Sequence, residues 1–223
     1  MIFYLLVTFL LLAACGEQPS PERQAPQAAQ PAPTSPDSRP AIVAFGDSRS
    51  AGFGVDSSRS YPELLQRELD RRGLAYRVVN AGISGDTSSG GLQRIDTVTS
   101  LKPAIVILEL GANDGLRGIP VSATRSNLQQ IVRALRNAGA KVVLAGMTLP
   151  PNYGPDYIRS FEQIYKDLAA EHKLPLIPFF LEGVAGTTRY MQQDGLHPNA
   201  AGYRKVAEIV MAALDPLLSR ATR

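Results

Sequence analysis

The sequence holds one cysteine, two histidines and no tryptophan among its 223 residues. A single thiol, Cys15, excludes any internal disulfide and makes a cysteine-held zinc site untenable. No repeat of fixed period is evident, which excludes solenoids and propellers. Charge of one sign is scarce: 23 Lys and Arg against 20 Asp and Glu leave a net +3. The nearest approach to a basic run is Arg71-Arg72, placed where a helix would end. With no cationic stripe interleaved with aromatics, nucleic-acid binding is not indicated. No apolar run reaches the roughly 20 residues that a membrane-spanning helix needs. At 44% apolar and 19% charged, the chain reads as globular, with enough length for one domain of ordinary core and some tail.

The tail is at the beginning. "IFYLLVTFLLLAA", Ile2 to Ala14, fits the apolar centre of a secretory signal peptide. "LAAC", Leu12 to Cys15, resembles the lipobox of bacterial lipoproteins, in which the cysteine becomes the new N-terminus and carries lipid. That resemblance implies a signal over residues 1–15 and lipidation at Cys15. It further implies attachment to a membrane of the bacterial envelope, facing periplasm or exterior. One feature departs from the pattern: no Lys or Arg precedes the apolar run. Residues 16–40 are dense in Pro, Gln, Ala and Ser, with no apolar side chain larger than Ala. Such a segment buries too little to offset the entropy of ordering it, and reads as a tether.

From Ala41 to the end, residues 41–223, short apolar runs alternate with longer amphipathic ones. Strands are expected at Ala41–Phe45, Tyr76–Val79, Ala104–Leu110, Lys141–Ala145 and Leu174–Ile177. Most are continuous in Val, Ile and Leu, as in a sheet covered on both faces. Between them, Ser60 caps a helix with Leu64, Leu65 and Leu69 on one face, stopped by Gly73. A second places Leu128, Ile131, Val132 and Leu135 together before Gly139. "DYIRSFEQIYKDLAAEHK" and "PNAAGYRKVAEIVMAALDPLL" read as two more helices, with Pro198 suited to the first position of the last one and His197 before it resembling a cap. Strand and helix in turn, five times over, predict an α/β domain: a three-layer α/β/α sandwich on a five-stranded parallel sheet. Ligands bind such sheets beyond the C-terminal ends of the strands.

Four loops rich in Gly, Asn, Asp and Ser fall at that edge: "GDS" at Gly46–Ser48, "NAGISGDT" at Asn80–Thr87, "GANDG" at Gly111–Gly115 and "DGLHPN" at Asp194–Asn199. Together they hold the parts of an acyl-transfer site. The Ser48 hydroxyl attacks a carbonyl once a base takes its proton. His197 is a base of suitable range, and Asp194 three residues earlier is within reach of its other ring nitrogen. The backbone N–H groups of Ser48 and Gly82 and the side-chain amide of Asn113 are candidate donors to an oxyanion.

"FGDSRSAGFGV", "NAGISGDTSSGGLQRI", "VILELGANDGLRG" and "DGLHPNAAGY" resemble the four blocks of the GDSL, or SGNH, hydrolase superfamily. They are most similar to its branch of bacterial acyl-CoA thioesterase I, lysophospholipase and arylesterase. The likeness runs from about Ala41 to the last helix. It implies a flavodoxin-like sandwich and a catalytic triad of Ser48, Asp194 and His197. Ser48, Gly82 and Asn113 then form the oxyanion hole, with neither metal nor organic cofactor. The implied substrates are small to medium acyl esters, aryl esters, thioesters or lysophospholipids, hydrolysed through an acyl-enzyme on Ser48. Carbohydrate O-deacetylation is the alternative within the fold, and a non-catalytic envelope binding module the alternative outside it.

One position departs from the family. An apolar residue, most often Leu, usually follows the serine; here it is Arg49. Its guanidinium is expected to face solvent or pair with a carboxylate. Asp47 is read as a residue that bonds loop backbone. "TLPPNYGPDY", Thr148 to Tyr157, lacks a helix or strand pattern and follows the fourth strand, so it should border the pocket through Leu149, Asn152 and Tyr153. His172 is expected at an exposed helix end, where a cation suits the dipole. Asp86, Glu109 and Asp114 suggest a metal cluster on paper only; their neighbours give them turn and cap roles, with Asp114 fixing the Asn113 loop.

Overall fold

The computed structural model describes residues 37–218. Residues 1–36, including Cys15 and nearly all of the expected tether, lie outside the described residues. The tether's last residues, 37–40, are bound to the domain. Arg39 reaches Asp70 at 3.2 Å, and its carbonyl accepts a bond from Arg77 Nε.

The elements run β1 (Ala41–Gly46), α1 (Ser48–Ala51), α2 (Tyr61–Arg71), β2 (Arg77–Asn80), α3 (Ser88–Gln93), α4 (Ile95–Ser100), β3 (Pro103–Glu109), α5 (Ala112–Leu116), α6 (Val121–Asn137), β4 (Lys141–Ala145), α7 (Pro155–His172), β5 (Leu176–Ile177) and α8 (Ala200–Leu214). The five strands form a parallel sheet ordered β2-β1-β3-β4-β5. Right-handed crossovers decide which face each helix covers. The step from β1 to β2 goes one way along the sheet and every later step the other. Accordingly α2 and α8 pack on each other, while α6 packs against α3, α4, α7 and β4. Those are the two outer layers of the expected sandwich. The centre of the middle layer is apolar: every residue of β1 is buried, and so are Ile105–Leu108 of β3 and Val142–Ala145 of β4.

Boundaries differ where prolines and turns intervene. β5 is two residues long rather than four, because Pro175 has no N–H to give the ladder and contributes only its carbonyl, to Leu144 N. β2 begins at Arg77, one residue late. The Thr148–Tyr157 loop ends at Gly154, since Pro155 opens α7 and carries Asp156 and Tyr157 into the helix. Pro198 does not open α8 and His197 is no cap. Asn199 caps instead, its Oδ1 accepting from Ala201 N at 2.9 Å and Gly202 N at 3.1 Å, and Pro198 pairs in a bridge with Met191. Ser60 and Gly73 sit at the ends expected for α2, although the Ser60 hydroxyl bonds Ser57 O rather than capping. His172 ends α7 but is half-buried against α6, with Arg136 Nη1 3.4 Å from its Nδ1. Packing of the two helix ends overrides the exposed position expected for it.

Candidate active site

Ser48 comes to the sheet's C-terminal edge because β1 stops at Gly46 and a helix of four residues starts at once. Asp47 makes that stop. Its Oδ1 accepts the Arg49 N–H at 3.0 Å, which caps α1 and leaves Ser48 in the first turn. Gly46 cannot carry a side chain: a Cβ there would overlap the Ser50 hydroxyl and the Glu109 carboxyl. Glu109 ends β3 and receives the Asp47 N–H at 3.2 Å and the Ser50 hydroxyl at 2.8 Å on Oε2. The turn is therefore bolted to the neighbouring strand.

His197 arrives on the loop before α8. Its Nε2 lies 2.8 Å from Ser48 Oγ, across 149 positions of sequence. Its Nδ1 lies 2.6 Å from Asp194 Oδ2. Asp194 Oδ1 also takes the backbone N–H groups of Leu196 at 2.9 Å and His197 at 3.0 Å, so one carboxylate fixes both loop and ring. Burial pushes the Asp194 carboxyl upward, but the bonds from the His197 ring and from those two amides outweigh it and hold the group below its ordinary range. Hydroxyl, imidazole and carboxylate thus form one continuous chain, with the serine 7% exposed.

The candidate oxyanion donors are placed less simply. The Ser48 N–H makes no hydrogen bond among the described residues. The Gly82 N–H is given to Asn80 Oδ1 at 2.9 Å. Gly82 has no room for a side chain: a Cβ would overlap the Ala51 amide nitrogen and come within 2.6 Å of the Ser50 carbonyl carbon. Asn113 Nδ2 donates to Asp86 O at 2.9 Å and Asp47 Oδ2 at 3.2 Å. Asn113 thereby joins three loops, those after β1, β2 and β3.

Beside this chain lies a cleft of about 360 Å³ whose walls include Arg49, Met147, Leu149, Phe179, Met191 and Leu196. Leu149 lines it as expected. Asn152 and Tyr153 do not: Asn152 is exposed on the next turn, and the Tyr153 hydroxyl is spent on Leu116 O at 2.7 Å. Phe179, Leu181 and Met191 were not anticipated, because single apolar residues in a loop carry no pattern. Arg49 is not solvent-facing; it pairs with Asp47 at 3.3 Å with its side chain 10% exposed. Also unanticipated is Arg94, which pairs with Asp86 at 2.7 Å and bonds the carbonyls of Gly46 and Ala81 while covering the Phe45 ring. It staples the loops after β1 and β2, and its only sequence signal is a lone cation amid "GLQRI".

The three acids considered as a metal cluster are dispersed. Asp86 holds Arg94, Glu109 holds the nucleophile turn, and Asp114 accepts from Ser88 N at 2.8 Å and from the Ser88 hydroxyl. Among the described residues no group of three His, Cys, Asp or Glu side chains converges.

Residues 44–205 match the family described as GDSL-like Lipase/Acylhydrolase. The chain is 49% identical over 178 residues to Esterase TesA of Pseudomonas aeruginosa, covering 79% of this chain and 89% of that protein. It is 40% identical over 174 residues to the Arylesterase of Vibrio mimicus, covering 78% and 87%. Among solved structures, TesA superposes with a TM-score of 0.78 over 80% of this chain and 99% of that one. The psychrotrophic esterase EstA from Pseudoalteromonas sp., 34% identical, superposes with a TM-score of 0.76 over 79% and 97%.

Proposed function

We propose, for a chain that belongs to the GDSL-like lipase/acylhydrolase family, that Ser48 is the nucleophile, His197 its base and Asp194 the orienting acid. The protein is an esterase/thioesterase of that family. The observation that carries the triad is the unbroken run from Ser48 Oγ to His197 Nε2 at 2.8 Å and from His197 Nδ1 to Asp194 Oδ2 at 2.6 Å. Ser48 Oγ attacks the acyl carbonyl as Nε2 takes its proton, and the imidazolium returns that proton to the departing alcohol or thiol. Water then repeats the transfer to free the acid. Throughout, Asp194 remains ionised opposite Nδ1, which its lowered carboxyl range supports.

In this reading the unengaged Ser48 N–H faces the developing oxyanion first. Gly82 and Asn113 complete the hole by exchanging bonds to Asn80 and Asp47 for bonds to the new charge. The 3.2 Å contact to Asp47 is the weaker of the two that Asn113 makes, so it is the one exchanged. The cleft has room for an acyl chain of several carbons, more than acetyl needs. Two large apolar side chains stand exposed on these loops, Phe53 and Ile83, a rim that suits esters with a lipid-like portion. The address read from residues 1–15 supports a lipid anchor at Cys15 and work in the bacterial envelope, against acyl esters reaching the membrane surface.

The test is turnover of chromogenic esters from acetyl to palmitoyl by purified protein and its Ser48→Ala variant. A fall of at least about a thousandfold is expected in the variant. Undiminished turnover would remove Ser48 from the mechanism.

A further inference from the structure

Arg49 stands where the family places an apolar residue, and the triad does not use it. It is 9% exposed, yet it lines the cleft beside Ser48. Its hydrogen bonding is incomplete. Nη1 reaches Asp47 Oδ2 at 3.3 Å, longer than the roughly 2.7–2.9 Å of a strong charge-assisted pair. Nε is buried with no partner, and Nη2 has none among the described residues. Nε is enclosed by protein, so Nη2 is the guanidinium donor left for a carboxylate in the cleft.

A buried guanidinium nitrogen without a partner is costly beside a cleft otherwise walled by Met147, Leu149, Phe179 and Leu196. Asp47 also takes the Arg49 N–H at 3.0 Å and the Asn113 amide at 3.2 Å, so its hydrogen bonding does not rest on the guanidinium alone. Nη2 is left to take an anion from the cleft.

Resting on the esterase reading, we infer that Arg49 selects acyl groups carrying a carboxylate at their far end, so that the preferred substrates are half-esters or half-thioesters of short dicarboxylic acids. Ser48 then holds a half-acyl group whose free carboxylate seats on Nη2. Water releases a dicarboxylate, and the alcohol or thiol leaves with the proton from His197. A plain alkyl chain of the same length leaves Nη2 unpaired, and a site with a stranded polar group discriminates strongly against the partner that strands it.

The experiment compares 4-nitrophenyl half-esters of succinate, glutarate and adipate with 4-nitrophenyl butyrate, valerate and hexanoate, in the wild type, Arg49→Leu and Arg49→Lys. A third arm uses neutral acyl chains with the carboxylate on the phenol. The quantity read is the ratio of kcat/KM for half-ester over neutral ester at equal chain length. It should peak at one length in the wild type, fall at least tenfold in Arg49→Leu, and fall partway in Arg49→Lys, which keeps the charge without the guanidinium. A ratio that stays within twofold across the three proteins overturns the inference even if neutral esters are cleaved, because a purely structural Arg49 would lower both rates together. An Arg49-dependent ratio seen only with the carboxylate on the phenol also overturns it. Calorimetry of glutarate and hexanoate binding to Ser48→Ala, with and without Arg49→Lys, reads the same preference without turnover. Equal affinity for the two acids sinks the inference without touching the assignment of Ser48 as nucleophile.

Discussion

The ring of Phe53 lies over the imidazole of His197, with centroids 4.5 Å apart and planes tilted by 38°. Phe53 is 48% exposed, so this is not core packing. Its position is nevertheless fixed: its N–H bonds Ser48 O at 3.0 Å and its carbonyl accepts Gln192 Nε2 at 2.8 Å. An aromatic face favours a cation against it, and an imidazolium forms there while Ser48 is acylated. At about 0.5–1 kcal/mol for an exposed pair, Phe53→Ala should lower kcat roughly two- to fivefold. Phe53→Leu, which keeps bulk without the ring face, should fall similarly. Steady-state kinetics on a short ester decides it, and full activity in the leucine variant would leave the ring only a shielding role.

Gly82 offers a sharper test. A methyl group there meets the backbone of α1, at Ala51 N and Ser50 C, rather than a side chain that could swing aside. The Asn80–Ile83 loop must move, and its N–H moves with it. Gly82→Ala is expected to lose about 1–3 kcal/mol of stability by overpacking and at least about a hundredfold in kcat. Thermal unfolding and kcat per folded molecule should be read together. A destabilised variant with normal kcat would make Gly82 a packing residue only.

What the sequence disclosed follows from range. The β1, β3 and β4 runs are apolar on both faces because helices cover both, and that pattern is written within each run. Ser48, Asp194 and His197 were legible because each sits in a Gly- or Asn-rich loop at the C-terminal edge, where a parallel sheet gathers its ligands. Phe179 and Met191 were not legible, since they reach the cleft through loops of no period. Arg49 could be noticed as a departure but not placed. Its choice between solvent and Asp47 depends on how α1 packs onto the sheet, which no local window records. The cap of α8 was misplaced by two residues, because Pro198 suits a first helical position by itself and only Asn199, two residues beyond His197, bonds the free amides.

Cys15 is tested in cells. If it carries lipid, the wild-type protein should sediment with membranes and resist extraction by salt, while Cys15→Ser should appear in the soluble fraction with its esterase activity intact. One acyl chain gives only marginal binding, so release should be complete rather than partial if the thiol bears the anchor. Sedimentation of the serine variant with membranes would contradict lipidation.

Glu109 makes stability depend on pH in a direction opposite to most carboxylates. It is fully buried, and burial first and the charge of Asp47 second raise its carboxyl well above the ordinary range; Arg49 and the bonds from Ser50 and the Asp47 N–H oppose this without cancelling it. In the unfolded chain the same group ionises near pH 4.3. Above that value the folded state holds a proton that the unfolded state has released, so stability falls as pH rises, until the folded group also ionises. Glu109→Gln preserves the shape and the acceptor for Ser50 but cannot ionise. Around pH 4 it should match the wild type to within about 1 kcal/mol. Above about pH 5 its stability relative to wild type should climb with pH until the folded Glu109 ionises, as read from urea midpoints at one-unit steps. A difference that is flat, or that moves the other way, would mean that Glu109 is ionised in the folded protein and that the nucleophile turn is held by a buried charge.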